Sequence, residues 1–131
     1  MSIPAATGLS PRKQAATEFL RLAAAGDVRR AFDTYAHDSF RHHNPHFPGD
    51  ATSLATAMAE NAAQFPEKRL GIERVIEEGE LVAVHARVRL TWDAADIALV
   101  HIFRFEGDRV IELWDVSQAP PERSANQHGM F

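Results

Sequence analysis

The sequence predicts an α+β fold, with three N-terminal helices packed on one face of a curved antiparallel sheet, on three observations. Apolar residues recur at helical spacing up to residue 65; after Pro66 they fall into runs of β-branched and aromatic residues; and turns of only a few residues join those runs. Helices first and strands afterwards, with no alternation, is the order of an α+β architecture. Short connections make neighbouring strands antiparallel, because parallel strands need long crossovers. The 131 residues match one domain, spanning 1–131.

Residues 1–9, with Pro4 and Gly8 and no apolar period, read as a loose leader. Ser10-Pro11 is a helix start: a capping hydroxyl, then a proline where its missing N–H costs nothing. Ala16, Phe19, Leu20 and Ala23 form that helix's apolar stripe, and Gly26 stops it. Asp27 is placed to cap a second helix bearing Val28, Ala31, Phe32 and Tyr35 on one face. Residues 39–50, SFRHHNPHFPGD, are too rich in turn formers to be one regular element. Asp50 or Ser53 then starts a third helix with Leu54, Met58, Ala62 and Phe65, ended by Pro66. Four strands follow, over 70–77, 81–92, 97–106 and 109–118, and the proline-punctuated tail 119–131 reads as irregular.

Strand alternation sorts the polar groups. In the second of these strands Val82, Val84, Ala86, Val88, Leu90 and Trp92 make the core face, which turns His85, Arg87 and Arg89 outward. In the third, Ile97, Leu99, His101, Phe103 and Phe105 share a face, so His101 stands in an apolar, partly aromatic row. Burial there depresses an imidazole's pKa and requires a partner for its N–H. Such a group is either a core histidine satisfied by a neighbour or a general acid–base near neutrality. In the fourth strand Glu112 and Asp115 interrupt apolar rows, as carboxylates either paired with an arginine (Arg87, Arg89, Arg104) or functional.

His42, His43 and His46 fall within five residues. Asn44-Pro45 breaks the helix that would align His42 with His46 on a metal, and no HExxH frame is present, so no metal site is expected. The loop is either a solvated turn or a set of polar side chains over the mouth of a cavity.

Composition removes other classes. Fourteen basic against eighteen acidic side chains give a net charge of −4, without the basic footprint of a nucleic-acid partner. The absence of cysteine excludes disulfides, cysteine-ligated zinc, iron–sulfur clusters and thiol nucleophiles. No apolar stretch has the length of a membrane span. MSIPAATGLSPRK lacks the basic-then-apolar order of a secretory signal, so a cytoplasmic location is expected. There is no glycine-rich phosphate loop and no GxSxG elbow.

RHHNPHFPGD at 41–50, HIFRFEGDRVIELWDVSQAPPE at 101–122 and the terminal NQHGMF resemble the SnoaL-like polyketide cyclase branch of the nuclear-transport-factor-2-like superfamily, from Pro11 onward. That resemblance implies a cone with a closed apolar end and an open end forming a pocket. It also implies a cofactor-independent aldol-type cyclase or isomerase, in which an acid–base residue removes a proton beside a carbonyl and pocket donors stabilise the enolate. Many relatives carry aspartate at the position of His101 and histidine at that of Leu113, so here His101 would be a base of different pKa and reach.

The expected site is therefore His101 as acid–base and Asp115 as the group that orients it or pairs with arginine. Tyr35, His43 and Asn44 would be polar contacts, with Phe103 and Trp114 as apolar ones, around a small carbonyl compound. The rival is a non-catalytic module of the same fold, holding a ligand or dimerising; a dimerisation module would have its cone filled by Phe47, Phe65, Phe103, Phe105 and Trp114. Under either, Leu81, Ala83 and Val100 on the outer sheet face suit a homodimer.

Overall fold

A computed structural model describes residues 8–131; residues 1–7, most of the expected leader, lie outside the described residues. Three helices, α1 (Pro11–Ala24), α2 (Val28–Tyr35) and α3 (Ala51–Gln64), cover one face of a five-stranded mixed sheet. The strands are β1 (Ala36–His42), β2 (Arg69–Glu78), β3 (Leu81–Arg89), β4 (Ile97–Glu106) and β5 (Arg109–Gln118), in the order β1-β5-β4-β3-β2. β2 to β5 form the expected antiparallel meander.

Two helix starts follow from their caps. Ser10 Oγ accepts from the Lys13 N–H at 3.2 Å ahead of Pro11, and Asp50 accepts from the Ser53 N–H at 2.9 Å. Asp27 precedes α2 without a side-chain cap bond. Instead its carboxylate lies 3.7 Å from Arg30.

β1 corrects the sequence reading of an irregular 39–50. Residues up to His42 form a strand parallel to β5, with Arg41 beside Glu112 and His42 beside Leu113. Its sequence, AHDSFRH, offers one large apolar side chain, the buried Phe40, and so lacks a visible alternation. β3 also ends earlier than expected, at Arg89. Trp92 falls in the following turn and is 77% exposed, not on the core face.

A bulge sets the faces of β5. Arg104 pairs with Glu112 but Phe105 pairs with Val110, which leaves Ile111 as the extra residue. Val110 therefore faces the helices together with Leu113, Asp115 and Ser117, while Glu112, Trp114 and Val116 face away.

The core lies between α1 and the sheet, and is built on Phe19, Phe103, Phe105, Leu113, Val82 and Val84. Edge-on ring contacts run from Phe103 to Phe19 (5.9 Å), Phe19 to Phe32 (5.1 Å) and Phe32 to Phe40 (5.4 Å). At this closed end the Arg12 guanidinium donates to the carbonyls of Gly79 and Gly107 in both hairpin turns. The two glycines have φ of 59° and 62°, which the tight turns require. The tail from residue 119 contains no regular element. Phe131 returns to the outer face, where Arg87 lies 4.0 Å from its ring centre.

Candidate active site

The other end of the cone is open. A hollow of about 360 Å3 lies between the last turns of α1, the face of α3 and the inner face of the sheet. Its walls are mostly apolar: Leu20, Leu54, Met58, Leu70, Val88, Ile97 and Leu99, with Phe47 at the rim. Strand register orders its depth. Phe103 and Leu113 close the bottom, His101 and Asp115 form the next inward-facing rung, then Leu99 and Ser117, then Ile97, Val88 and Leu70 towards the mouth.

His101 is buried, and its Nδ1 has no hydrogen-bond partner. The alternative of a core histidine satisfied by a neighbour therefore fails at that atom. Burial lowers its pKa below 6.5, opposed by the Asp115 carboxylate. The neutral ring is thus the resting form at neutral pH. Its plane lies 30° from that of Phe103, with centroids 6.2 Å apart. Asp115 stands opposite His101 on the same rung, on the adjacent strand, and is held by Asn44, whose Nδ2 donates to Oδ2 at 3.2 Å. Asn44 is placed by its own loop: its Oδ1 accepts from the His46 N–H at 3.0 Å, and its N–H donates to His42 Nδ1 at 3.1 Å. The buried His42 then donates from Nε2 to the Pro48 carbonyl at 2.7 Å, pinning the turn. The three loop histidines do not converge, and among the described residues no three His, Asp or Glu side chains gather as a metal site.

His101, Asp115 and Asn44 therefore meet at the hollow, and four expected contacts do not. Phe103 is fully buried beneath it, in the core. Tyr35 packs against the core edge, outside the lining, where burial and then Glu18 raise its pKa. His43 and Trp114 lie on the opposite face of the sheet. β1 alternates Arg41 out, His42 in and His43 out, and Trp114 pairs with outward Ile102. There the two rings stack at 5.1 Å and 6°.

The outer cluster centres on Glu112. Its carboxylate accepts from His43 Nε2 (2.6 Å), Arg41 Nε (3.0 Å) and Arg104 Nη2 (2.8 Å). The long side chains of its partners cover it, so it is hidden from water without being sunk in the core. The His43 bond first, and then Arg41 and Arg104, pull its pKa to about 2 against the cost of burial. A carboxylate lowered on folding stabilises fully above its ordinary 4.5, and that contribution is lost as pH falls through about 2. Glu112→Gln should flatten the melting temperature against pH across this acid range. At pH 7 it should cost about 1–2 kcal/mol, discounted because Arg41 and His43 are half exposed to solvent. That corresponds to roughly 3–8 °C. Thermal melts by circular dichroism decide it, and coincident pH curves for both proteins would contradict the assignment.

Sequence reasoning missed Lys68, Asn61 and Ser117, which also line the hollow. Asn61 was findable, since it follows Met58 by three and Leu54 by seven on the apolar face of α3. Lys68 was not, because Pro66-Glu67-Lys68-Arg69 has the composition of a solvated turn.

A helix-covered, curved sheet closed at one end and hollow at the other defines the nuclear-transport-factor-2-like class. The family model of the SnoaL-like domain matches residues 16–113, and the chain belongs to that family. No curated protein matches it. Among solved structures, it is similar to a candidate polyketide cyclase from Bacillus cereus, with a TM-score of 0.73 at 19% identity over 89% of this chain and 87% of that one. A SnoaL-like protein of unknown function from Burkholderia thailandensis gives 0.69 at 18%, over 83% and 96%. A nuclear-transport-factor-2-like protein of unknown function from Cytophaga hutchinsonii gives 0.66 at 14%, over 86% and 94%. At these identities the likeness concerns the fold. Among the described residues no helix is long and apolar enough to cross a membrane.

Proposed function

We propose that the protein is a cofactor-independent acid–base catalyst of the cyclase or isomerase type, acting on a small, largely apolar carbonyl compound. The observation that carries this reading is the buried His101 imidazole with an orphaned Nδ1, beside Asp115 and at an apolar hollow. Asp115 is the cross-strand neighbour of His101, and its carboxylate, which Asn44 holds, is the acceptor that Nδ1–H would take in the reacting complex. That contact fixes the tautomer and leaves Nε2 as the acceptor facing the substrate. Nε2 removes the proton next to a carbonyl. The second N–H of Asn44 and the Ser117 hydroxyl are the donors available to the enolate oxygen. The enolate carbon then closes on a second carbonyl, whose new alkoxide takes the proton back from the imidazolium; return of the proton to a different carbon would be isomerisation. The test is turnover and ligand-induced thermal stabilisation with a panel of small ketones, lactones and polyketide-like aromatics, in the wild type and in His101→Phe.

The outer face supports a second proposal, a homodimer. Ile76, Ala83, Ile102 and Trp114 are successive cross-strand neighbours there, and Ile76, Ile102, Val116 and Leu81 are all exposed. An apolar row of this kind on one chain suits an isologous contact. Light scattering should give twice the chain mass at micromolar concentration, and Ile102→Glu should give a monomer. A monomeric wild type would remove the proposal.

A further inference from the structure

The acid–base reading leaves unused a cation at the mouth of the hollow. Lys68 sits in the turn between α3 and β2, where its N–H donates to the Phe65 carbonyl at 3.0 Å. The residue is half-buried and lines the hollow. Its Nζ donates to Asn61 Oδ1 at 2.6 Å. Asn61 is neutral, and no carboxylate pairs with Lys68 among the described residues; burial alone lowers its pKa. An ammonium that loses water without gaining a counter-charge is favourable only if something else supplies that charge. Two of its three N–H donors remain for it.

The rest of the hollow says where that charge would lie. Among the described residues, Lys68 and Asp115 are its only formally charged lining residues. Asp115 stands at the deep rung and repels an anion there. His101 and Ile97 are four residues apart along β4, about 13 Å of extended chain. The intervening wall, Leu99, Val88 and Leu70, is apolar. The hollow therefore has a negative, proton-transferring bottom, an apolar middle and a positive rim.

We propose that Lys68, held by Asn61, is an anion anchor, and that the ligand is an amphipathic carboxylate. Its apolar body, about the size of a bicyclic ring system, lies along the wall with its carboxylate at the mouth. The ammonium makes charge-assisted hydrogen bonds to that carboxylate and so orients the opposite end towards His101. This rests on the small-molecule reading of the same hollow and names the class of molecule for it.

The experiment is calorimetric titration with 2-naphthoate and 2-naphthamide, which share a shape and differ in charge. Wild type should prefer the carboxylate at least tenfold. Lys68→Met should abolish that preference by weakening naphthoate alone, while Lys68→Arg keeps it; circular dichroism checks that each variant is folded. A wild type that binds both equally, or a Lys68→Met protein with the preference intact, overturns the anchor and leaves the acid–base reading standing. Equal weakening of both probes in folded Lys68→Met also overturns it, since charge is then not what is read. If wild type binds neither probe, the hollow does not take such molecules, and the anchor fails with it.

Discussion

His101→Phe should lower turnover by about a hundred- to ten-thousandfold, the range a positioned general base contributes, while the protein stays folded. The two side chains are similar in size and the ring lies beside Phe103. Phenyl also removes the nitrogen that has no hydrogen-bond partner. Melting should therefore stay level or rise, which separates this variant from one that loses activity by unfolding. The pH profile gives a second readout. Because burial lowers the His101 pKa, the neutral base persists below pH 6.5. Turnover should hold at pH 6.5 and fall only in more acid solution, as the imidazole is protonated. Undiminished turnover in the folded variant would remove His101 from the reaction. Retained ligand binding with no turnover in the wild type, for any compound of the panel, would leave a binding module.

Phe103→Ala should have the opposite signature: about 4 kcal/mol of lost stability, from apolar surface no longer buried and from the cavity left behind. Phe103 is fully buried, touches the Phe19 ring edge-on and shares a rung with Leu113. For a marginally stable domain that loss is a large part of the total. Urea unfolding should show a lower midpoint. Ligand preference in the folded fraction should be unchanged, because the ring lies beneath the hollow and not in its lining, although turnover falls further where the His101 ring loses the neighbour it rests against. A stable Phe103→Ala protein with altered ligand preference would return Phe103 to the site.

What the sequence disclosed follows from how far each signal reaches along the chain. α1 and α3 carry local caps and all three helices a repeating apolar stripe, and β4 and β5 start and end where their turn residues place them. The inward position of His101 follows from alternation within β4 alone. β1 has no such internal signal: it is a short, polar edge strand defined by pairing with β5, some seventy residues later. Without β1, the outward side of His43 could not be deduced. Trp114 carried an apolar signal that suits a pocket wall equally well as a sheet surface, and only the pairing with Ile102 decides between them. Lys68 gained its significance from α3 and Asn61 folding over it, which no local pattern in its turn announces.

Ile111, the unpaired residue of β5, has a consequence for how such a protein can change over generations. From Val110 onward, strict two-residue alternation would send Glu112 and Trp114 to the helix side and expel Asp115 to the convex side. A single codon lost at Ile111 would remove the bulge and still leave Leu113 and Asp115 on the helix side, whereas a slip that irons the bulge out with every residue retained would replace the acid of the hollow by an indole. The extra residue thus lets this strand absorb a one-residue deletion without exchanging its faces, while the same chain without the bulge would not keep its acid in the hollow.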